Sequence, residues 1–280
     1  MSAVTAREIA HRPVILECRG DEVLLAGQRL FTGSEDELVE QLGQLASSPR
    51  VCLVMTPNVD QTLDLGSSAS LRDAFDHADL RTVDGMPLVL LARLLGARGA
   101  QRNTGADLLP VLASHSASRR WRIVVTGSSD VSSTTAIFRL QEQFPGAMIS
   151  AIGFPRISDV SDPASEAVIT QLHRIQPDFV FVCLGAPKQE AWVRRWREVL
   201  PPAVYIGAGA AVDFAAGEVS RAPRIVQTLS MEWVWRLVRE PRRLFRRYLV
   251  KGPRFIEVVI SSVLAHRGGA HRIRTGSKEE

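Results

Sequence analysis

The sequence predicts an α/β protein with a Rossmann-like, mostly parallel β-sheet, helices on both faces of the sheet, and a basic helical appendage at the C-terminus. Two observations support this fold class. Apolar runs of three to six residues alternate with segments of helical periodicity between about residues 51 and 206, which favours successive βαβ units. After about Ser220 the strand pattern ends, and only helical patterns rich in arginine remain.

The first 50 residues precede this alternating pattern. Residues 1–12 show no periodicity, so we expect them to be disordered. Two apolar segments, Val14–Cys18 and Glu22–Leu25, flank a Gly-Asp pair and predict a short β-hairpin. Ser34, followed three residues later by Glu37, predicts a capping box and therefore the start of a helix.

From residue 51 onwards the sequence predicts strands and helices in turn. Each predicted strand is an apolar run that ends at a polar or glycine-containing turn. These strands are Val51–Met55, Leu80–Val83, Trp121–Val125, Ala147–Ile152, Phe179–Leu184 and Val204–Ile206. Each predicted helix has apolar residues at three- and four-residue spacing. These helices are Ser67–His77, Pro87–Ala97, Ala106–Ser116, Ser132–Gln143, Ser165–Gln176 and Pro187–Val199.

The charge distribution separates the body of the chain from its C-terminal part. The net charge is +4, but residues 221–280 contain 14 basic and five acidic side chains, a net charge of +9. Residues 1–220 contain 20 basic and 25 acidic side chains, a net charge of −5. We therefore predict an α/β core at 13–220, a basic helical appendage at 221–265 and a disordered tail at 266–280.

The appendage is predicted to contact a polyanionic surface. On helical spacing, four of its arginines share one face, with Trp and Tyr residues nearby, which is typical of an interfacial element on anionic lipid. These arginines are Arg236, Arg239, Arg243 and Arg247. The alternatives are a solvated helix and a nucleic-acid-binding segment. We do not expect a nucleic-acid partner. A homo-oligomer is compatible with the sequence.

Several other classes of protein are disfavoured. The three cysteines form no CxxC pair, and Cys52 and Cys183 lie within apolar runs, which indicates buried free thiols in a reducing compartment. The histidines have no metal-binding spacing. The chain has no apolar run of membrane-spanning length and no apolar signal sequence near its N-terminus, so we expect a cytoplasmic protein associated peripherally with the membrane.

Ligands of parallel α/β sheets bind at the carboxyl ends of the strands. This rule selects the polar segments that follow the predicted strands. The segments are Thr56–Asp60, Asp84-Gly85, Gly127–Ser129, Gly185–Glu190 and Gly207–Asp213.

Asp84 is the main candidate for a catalytic carboxylate, because it follows a predicted strand and precedes a predicted helix. A carboxylate in this position can act as a general base or as a helix N-cap, and its position in the sequence alone favours the cap. Arg102 and Thr104 lie in the polar loop before the next helix. Arg102 can bind a diphosphate, and Thr104 can take part in the site or cap that helix.

Three further segments carry weaker predictions. Gly127 lies in a polar turn that suits a phosphate or a ribose. Lys188 and Gln189 suit a phosphate and a sugar or base hydroxyl, although a well-capped helix with an exposed lysine is the alternative. Gly207–Val212 only partly matches a dinucleotide-binding motif, and no strand with a terminal acid follows it, so we expect close packing here rather than NAD binding.

Taken together, these segments resemble the WecG/TagA/CpsF glycosyltransferases, which form glycosyltransferase family 26. The resemblance covers roughly residues 20–250 and is most specific from Pro177 to Leu249. It is carried, in order along the chain, by Thr56–Asp60, Val83–Gly85, Arg102–Leu108, Leu184–Glu190, Gly207–Pro223 and Glu232–Leu249.

The resemblance implies an inverting transfer from a UDP-sugar to a polyprenyl-diphosphate-linked sugar. It implies that Asp84 is the base, that Thr56 and Asn58 lie near it or near the acceptor, and that Arg102 and Gln189 contact a substrate. It further implies that Arg221 and Arg224 complete the site. Met86-Pro87 departs from the small or β-branched residues frequent in the family, which leaves the sugar open.

Two further expectations concern cofactors and the C-terminal boundary of the core. No DxD-like motif with partner residues is present, so we expect no cofactor and no essential metal. Since the strand pattern ends before Ser220, we also expect a chain cut after that residue to retain a folded core. An NAD-dependent oxidoreductase and a nucleic-acid-binding protein are the alternative functions.

Overall fold

The computed structural model describes residues 14–209, 211–218 and 252–276. Within these ranges the chain forms a six-stranded parallel sheet and a separate three-stranded antiparallel sheet. The strands of the large sheet are β4 (Val51–Met55), β5 (Leu80–Arg81), β6 (Ile123–Thr126), β7 (Ile149–Ile152), β8 (Phe179–Val182) and β9 (Ala203–Gly207). Their order in the sheet is β5-β4-β9-β8-β6-β7. The predicted fold class is confirmed.

The small sheet extends the predicted hairpin by one strand. It consists of β1 (Leu16–Arg19), β2 (Glu22–Leu25) and β3 (Gln28–Leu30). Ala26 and Gly27 join β2 to β3 with φ values of 52° and 83°, a two-residue turn of the kind that antiparallel hairpins favour. The sequence analysis missed β3 because only three residues form it and two of them are polar.

The helices confirm the predicted alternation, with shifts of one to three residues at most ends. The described helices are α1 (Glu35–Ala46), α2 (Val59–Asp64), α3 (Ala69–Asp76), α4 (Met86–Leu94), α5 (Gly105–Arg119), α6 (Asp130–Gln143), α7 (Ser165–Ile175), α8 (Lys188–Trp196), α9 (Ala211–Ala215) and α10 (Gly252–Gly276). The capping box of Ser34 and Glu37 forms as predicted. The two shortest helices, α2 and α9, were not predicted.

The large sheet is buried on both faces because the side chains of each strand alternate between two apolar layers. Cys52 and Val54 of β4 pack in the layer formed by α1, α5, α6 and α9. Leu53 and Met55 pack in the opposite layer, which α3, α4, α7, α8 and the small sheet form. Cys52 and Cys183 are buried free thiols, as predicted. This two-sided burial explains why the strands are continuous apolar runs.

The strand order contains a point at which the direction of the chain reverses. From β6 the chain continues to β7 on one side, whereas from β8 it continues to β9 on the other side. Adjacent strands that lead in opposite directions leave a crevice at their carboxyl ends, where ligands bind in such sheets. Here the crevice lies between the loops that follow β6 and β8.

The C-terminal helix α10 packs on the small sheet and belongs to the core. The Leu16 backbone N–H donates to Ser262 Oγ at 2.9 Å, and Phe255, Val259 and Val263 pack against the apolar layer that includes the small sheet. We predicted disorder for residues 266–280, but the helix continues to Gly276. A chain cut after Ser220 would lose these contacts, and the expectation that it retains a folded core stays a prediction.

The predicted boundary near residue 220 and most of the predicted appendage lie outside the described residues. The same holds for Arg221 and Arg224 and for the four predicted membrane-contacting arginines. In the described part of the chain, none of the helices combines the length and the apolar character needed to cross a membrane.

Candidate functional site

Thr56 lies where β4, β9 and α5 meet at the carboxyl edge of the sheet. Its side chain is buried, and its hydroxyl donates to the Gly207 carbonyl oxygen at 3.4 Å. A Cβ atom at Gly105 would lie 2.7 Å from Thr56 Oγ1, so the start of α5 can approach this closely only because residue 105 is glycine. The structure therefore joins two predicted site segments, the one after β4 and the one before α5.

Asn58 has a defined structural role at the start of α2. Its Oδ1 accepts from the Gln61 backbone N–H at 3.1 Å, and its own N–H donates to Gln61 Oε1 at 3.3 Å. These two bonds form a capping box with glutamine in the third position. The predicted catalytic role of Asn58 therefore comes in addition to a cap, and it stays a prediction.

Asp84 follows β5 and is held next to the segment after β4, because its backbone N–H donates to the Pro57 carbonyl oxygen at 3.1 Å. The N-cap of α4 is the next residue, Gly85, with a φ of 117° that suits glycine. Asp84 therefore lies one residue before the N-cap position, and its role as a base stays a prediction. Its half-buried side chain belongs to the ligand-bearing edge of the sheet.

The loop that contains Arg102 is fixed beside Asp84. The Asn103 backbone N–H donates to the Val83 carbonyl oxygen at 2.9 Å, and its carbonyl oxygen accepts from Thr82 Oγ1 at 2.8 Å. Asn103 Nδ2 donates to the Gly33 carbonyl oxygen at 3.0 Å. Arg102 and Asp84 therefore occupy neighbouring backbone segments, which suits a carboxylate and a guanidinium that act on one ligand.

Thr104 is the N-cap of α5, the alternative that the sequence analysis left open. Its Oγ1 accepts from the Asp107 backbone N–H at 3.1 Å and donates to Asp107 Oδ2 at 2.6 Å. The predicted contact of Thr104 with substrate stays a prediction. The cap orients the N-terminus of a 15-residue helix, with its partial positive charge, toward the edge that carries Thr56.

Gly127 lies in the crevice between the loops after β6 and β8. Its φ is 91°, and a Cβ atom would lie 3.0 Å from both the Cys183 carbonyl carbon and Leu184 Cδ2. The position therefore requires glycine for close packing of the two loops. Binding of a phosphate or ribose at Gly127 remains a prediction.

Lys188 is half-buried, and its Nζ donates to the Ile157 carbonyl oxygen at 3.2 Å, which links α8 to the loop after β7. The structure thus gives this lysine a partner within the protein. Its predicted contact with a phosphate would require the ammonium group to share or exchange that partner.

Gln189 was predicted to suit a sugar or base hydroxyl at the sheet edge, and its contact with a ligand stays a prediction. The residue lies in the first turn of α8, is only 3% exposed, and its Nε2 donates to Glu190 Oε1 at 2.9 Å. The same oxygen accepts from Gln61 Nε2 at 2.9 Å. The donors of Gln189 thus point into the protein, and its other amide atom, Oε1, is the group left for a ligand.

Glu190 and Gln61 are the site residues that the sequence analysis missed. Glu190 is fully buried, and this burial raises the pKa of its carboxyl, although the bonds from Gln189 and Gln61 lower it. An acidic residue in the first turn of a helix is usually exposed. The signal that could have revealed it is spacing, since Glu190 lies three residues before Val193, about one turn, on the buried face of α8.

The glycines at the end of β9 and just after it, Gly207 and Gly209, pack against this buried polar group. A Cβ atom at Gly207 would lie 2.8 Å from Gln189 Nε2 and 2.9 Å from Glu190 Oε1. One at Gly209 would lie 3.2 Å from Gln189 Oε1. The partial dinucleotide-binding motif is therefore explained by close packing, as predicted, although here the backbone packs on a side-chain amide.

No group of three or more His, Cys, Asp or Glu side chains within residues 14–209, 211–218 and 252–276 is arranged to hold a metal ion. The expectation that the reaction needs no metal stays a prediction. The segments at this edge contribute the carboxylate of Asp84, the guanidinium of Arg102, the hydroxyl of Thr56 and the amide of Gln189. This set can activate a hydroxyl and bind an anion.

Comparison with known proteins identifies the family of this chain. The model of the glycosyl transferase WecG/TagA/CpsF family matches residues 23–269. An N-acetylglucosaminyldiphosphoundecaprenol N-acetyl-beta-D-mannosaminyltransferase of Bacillus spizizenii is 27% identical over 207 residues, which cover 74% of this chain and 78% of the relative. The enzyme of the same name from Bacillus subtilis is 30% identical over 175 residues, 61% of this chain and 66% of the relative. The chain therefore belongs to the WecG/TagA/CpsF family and is a glycosyltransferase.

Proposed function

We propose that this protein is an inverting glycosyltransferase that moves a hexose or N-acetylhexosamine-type sugar from a UDP-sugar to a polyprenyl-diphosphate-linked saccharide during cell-surface polysaccharide biosynthesis. The observation that carries the proposal is the match to two relatives whose names specify an N-acetylglucosaminyl-diphosphoundecaprenol acceptor and a transferred N-acetylmannosaminyl group. The family match over residues 23–269 includes all the proposed site residues.

In the proposed reaction the acceptor hydroxyl attacks the anomeric carbon of the donor sugar as the bond from that carbon to the diphosphate breaks. Asp84 accepts the hydroxyl proton, and UDP leaves with the electron pair of the broken bond. The attack occurs on the face opposite the leaving group, so the configuration at the anomeric carbon inverts. The position of Asp84 after β5, adjacent to but not at the N-cap of α4, supports the role of base.

The departing diphosphate develops negative charge, which cationic groups stabilise. Arg102 is the described candidate for this role because its loop is fixed beside the Asp84 segment. Arg221 and Arg224, assigned from the family resemblance, would supply further positive charge. We propose that these groups suffice without an essential metal.

We also propose that the enzyme works at the inner face of the cell membrane, where a polyprenyl-linked acceptor is anchored. The +9 charge of residues 221–280 suits anionic lipid headgroups. In addition, α10 exposes Ile256, Ile260 and Leu264 at four-residue spacing, so one stripe of this helix is apolar and accessible.

The test is product analysis with the purified full-length protein. Polyprenyl-diphosphate-linked N-acetylglucosamine would be incubated with a panel of UDP-sugars that contains hexoses and N-acetylhexosamines, and the lipid product would be analysed by mass spectrometry. We expect an increase of one sugar mass with one donor of the panel, and release of UDP that depends on the acceptor. NMR of the product would give the anomeric configuration. Absence of product with every donor, or retained configuration, would contradict the proposal.

A further inference from the structure

A buried chain of hydrogen bonds joins two segments of the proposed site. It starts at the Asn58 backbone N–H, passes through the side chain of Gln61 to Glu190 Oε1, and ends at the side-chain amide of Gln189. Asn58 belongs to the segment after β4 and Gln189 to the segment after β8, and β9 lies between these strands. The carboxyl of Glu190 is thus the junction between two segments that are 129 residues apart in sequence.

The burial of this chain argues against a purely structural role, because burying a carboxyl costs free energy. Glu190 is 0% exposed, Gln189 3% and Gln61 7%. An apolar side chain of similar size would fill the same volume without the cost of burying a carboxyl, and such replacements are often neutral or stabilising in proteins. Buried polar groups of this kind are best attested where they specify one arrangement of their neighbours.

Glu190 determines which atom of Gln189 faces away from the chain. Since Gln189 Nε2 donates to Glu190 Oε1, the amide is held in one orientation, and Gln189 Oε1 lies on the side of Gly209. The closely packed Gly207 prevents the amide from moving aside. Among the described residues, Gln189 Oε1 and Glu190 Oε2 are both buried and have no hydrogen-bond partner. Gln189 Oε1, next to Gly209, is therefore an acceptor that lacks a donor.

We propose that Glu190 is a positioning residue of the transferase, which acts through Gln61 and Gln189. It holds the Gln189 amide with Oε1 presented as the acceptor for a sugar hydroxyl, and it fixes the start of α2 with Asn58 relative to that acceptor. This inference rests on the proposed function, because a sugar substrate supplies the hydroxyl donor that Gln189 Oε1 lacks.

The test compares variants that keep or remove the acceptor oxygen at position 190. Glu190→Gln keeps that oxygen, so we expect kcat within about threefold of wild type. Glu190→Leu has a similar volume but no acceptor, and we expect kcat to fall about 100-fold, as for a misplacement of roughly 1 Å, with a smaller change in KM. Ser116→Ala is the matched control, since it removes two hydrogen bonds of a buried side chain at the opposite edge of the sheet and should leave kcat unchanged.

A charge swap provides a rescue experiment. Gln61→Glu alone places two carboxyls together and should lower kcat at least tenfold. Combined with Glu190→Gln, the introduced carboxylate can accept from the Asn58 N–H and from the introduced amide, whose oxygen still accepts from Gln189 Nε2. We expect the double variant to recover most of the lost kcat. This pair decides the question even where Glu190→Leu fails to fold.

A second readout is independent of activity. In ¹⁵N-labelled wild type and Glu190→Gln, the side-chain amide protons of Gln61 and Gln189 should exchange slowly with solvent, whereas in Glu190→Leu both should exchange at least tenfold faster. Wild-type kcat in Glu190→Leu, unchanged amide exchange, or no rescue by the double variant would each overturn the positioning role. If the wild type shows no turnover with any donor, the proposed function fails instead, and amide exchange alone tests the orientation of Gln189.

Discussion

At the scale of single residues, Asp84 lies one residue before the N-cap of α4, so its proposed role as a base can be tested separately from the start of that helix. Gly85 is the N-cap of that helix, so Asp84→Asn should leave the helix start intact. We expect the variant to retain its melting temperature within about 2 °C and to lose at least about 100-fold in turnover, the lower end of the range for a general base. The measurements are a thermal melt and kcat with a lipid-linked acceptor. Early melting together with normal specific activity would indicate a structural aspartate.

Arg102 and Arg98 allow a matched comparison of two arginines in the connection between α4 and α5. Arg102 is half-buried in the segment fixed beside Asp84, whereas Arg98 is exposed. We expect Arg102→Ala to lower kcat/KM for the nucleotide sugar at least tenfold, because it removes a cation from the developing diphosphate charge. Arg98→Ala should be neutral. Equal kinetics for the two variants would remove Arg102 from the site.

Glu190 also predicts a dependence of stability on pH. Its pKa is raised in the folded protein, so the unfolded state loses this proton at a lower pH than the folded state does. The contribution of Glu190 to stability is therefore fully present below its unfolded pKa of about 4.3, and it declines as the pH rises toward the folded pKa. Glu190→Gln cannot ionise, so it should become more stable relative to wild type over this interval.

The measurement is the urea midpoint of wild type and Glu190→Gln across a pH series. A constant difference between the two proteins from pH 4 to pH 8 would show that Glu190 titrates alike in both states. The informative quantity is how the difference between the two urea midpoints changes with pH. A difference that is the same at every pH reflects hydrogen-bond geometry instead.

The residue scale also shows where interpretation of the sequence succeeds. Asp84 and Thr104 could be placed at the sheet edge because polar residues directly follow a strand or start a helix. The catalytic role of Asp84 stays a prediction, and the role that the structure shows for Thr104 is the cap. Glu190 and Gln61 were missed, since each lies in an ordinary helical first turn. Their significance depends on a contact between residues 129 positions apart, which no local pattern encodes.

At the scale of secondary-structure elements, Ser262 fastens α10 to the free edge of β1. Ser262→Ala would leave the Leu16 N–H without its acceptor in a buried setting, so we expect a loss of about 1–3 kcal/mol in the free energy of unfolding. Ser114→Ala is the control, because its hydroxyl only donates to a carbonyl of its own exposed helix turn. Its effect should stay within about 0.5 kcal/mol. Equal effects in chemical denaturation would mean that α10 contributes little to the fold.

The elements that the sequence analysis missed share one property, which is short length. β3 has three residues, α9 has five and α2 has six, so none completes enough turns or alternations to produce a periodic pattern. In contrast, α1 was predicted from its capping box as well as its periodicity. The contact of α10 with β1 was not predicted, because the side of α10 that faces the small sheet carries few large apolar residues and includes a serine.

At the scale of the whole molecule, the strand order could not be predicted from the sequence pattern. Alternating apolar runs predict parallel strands, but they do not state that β6 pairs with β8 or that β9 lies beside β4. These pairings bring the segments after β4, β8 and β9 together, and they therefore create the Gln61–Glu190–Gln189 chain. The predicted list names the edge segments, but it does not say which of them meet.

The last prediction concerns attachment to the membrane and uses the full chain, since truncation would remove α10 from the core. Replacing Arg236, Arg239, Arg243 and Arg247 with alanine should weaken co-sedimentation with anionic vesicles about a thousandfold, because each basic residue near such a surface contributes about 1 kcal/mol. The control replaces four exposed arginines of the body, Arg19, Arg29, Arg98 and Arg174, and should sediment like wild type.

Apolar contacts should respond differently from charge. Serine at Ile256, Ile260 and Leu264 should weaken the binding that persists at high salt, since buried apolar area is not screened whereas the arginine contribution is. Vesicles of neutral lipid separate the two contributions, because only the apolar one remains on them. Equal sedimentation of wild type and the appendage variant would contradict a membrane role for the basic residues. Tighter binding of wild type to an oligonucleotide than to anionic vesicles would favour the nucleic-acid alternative.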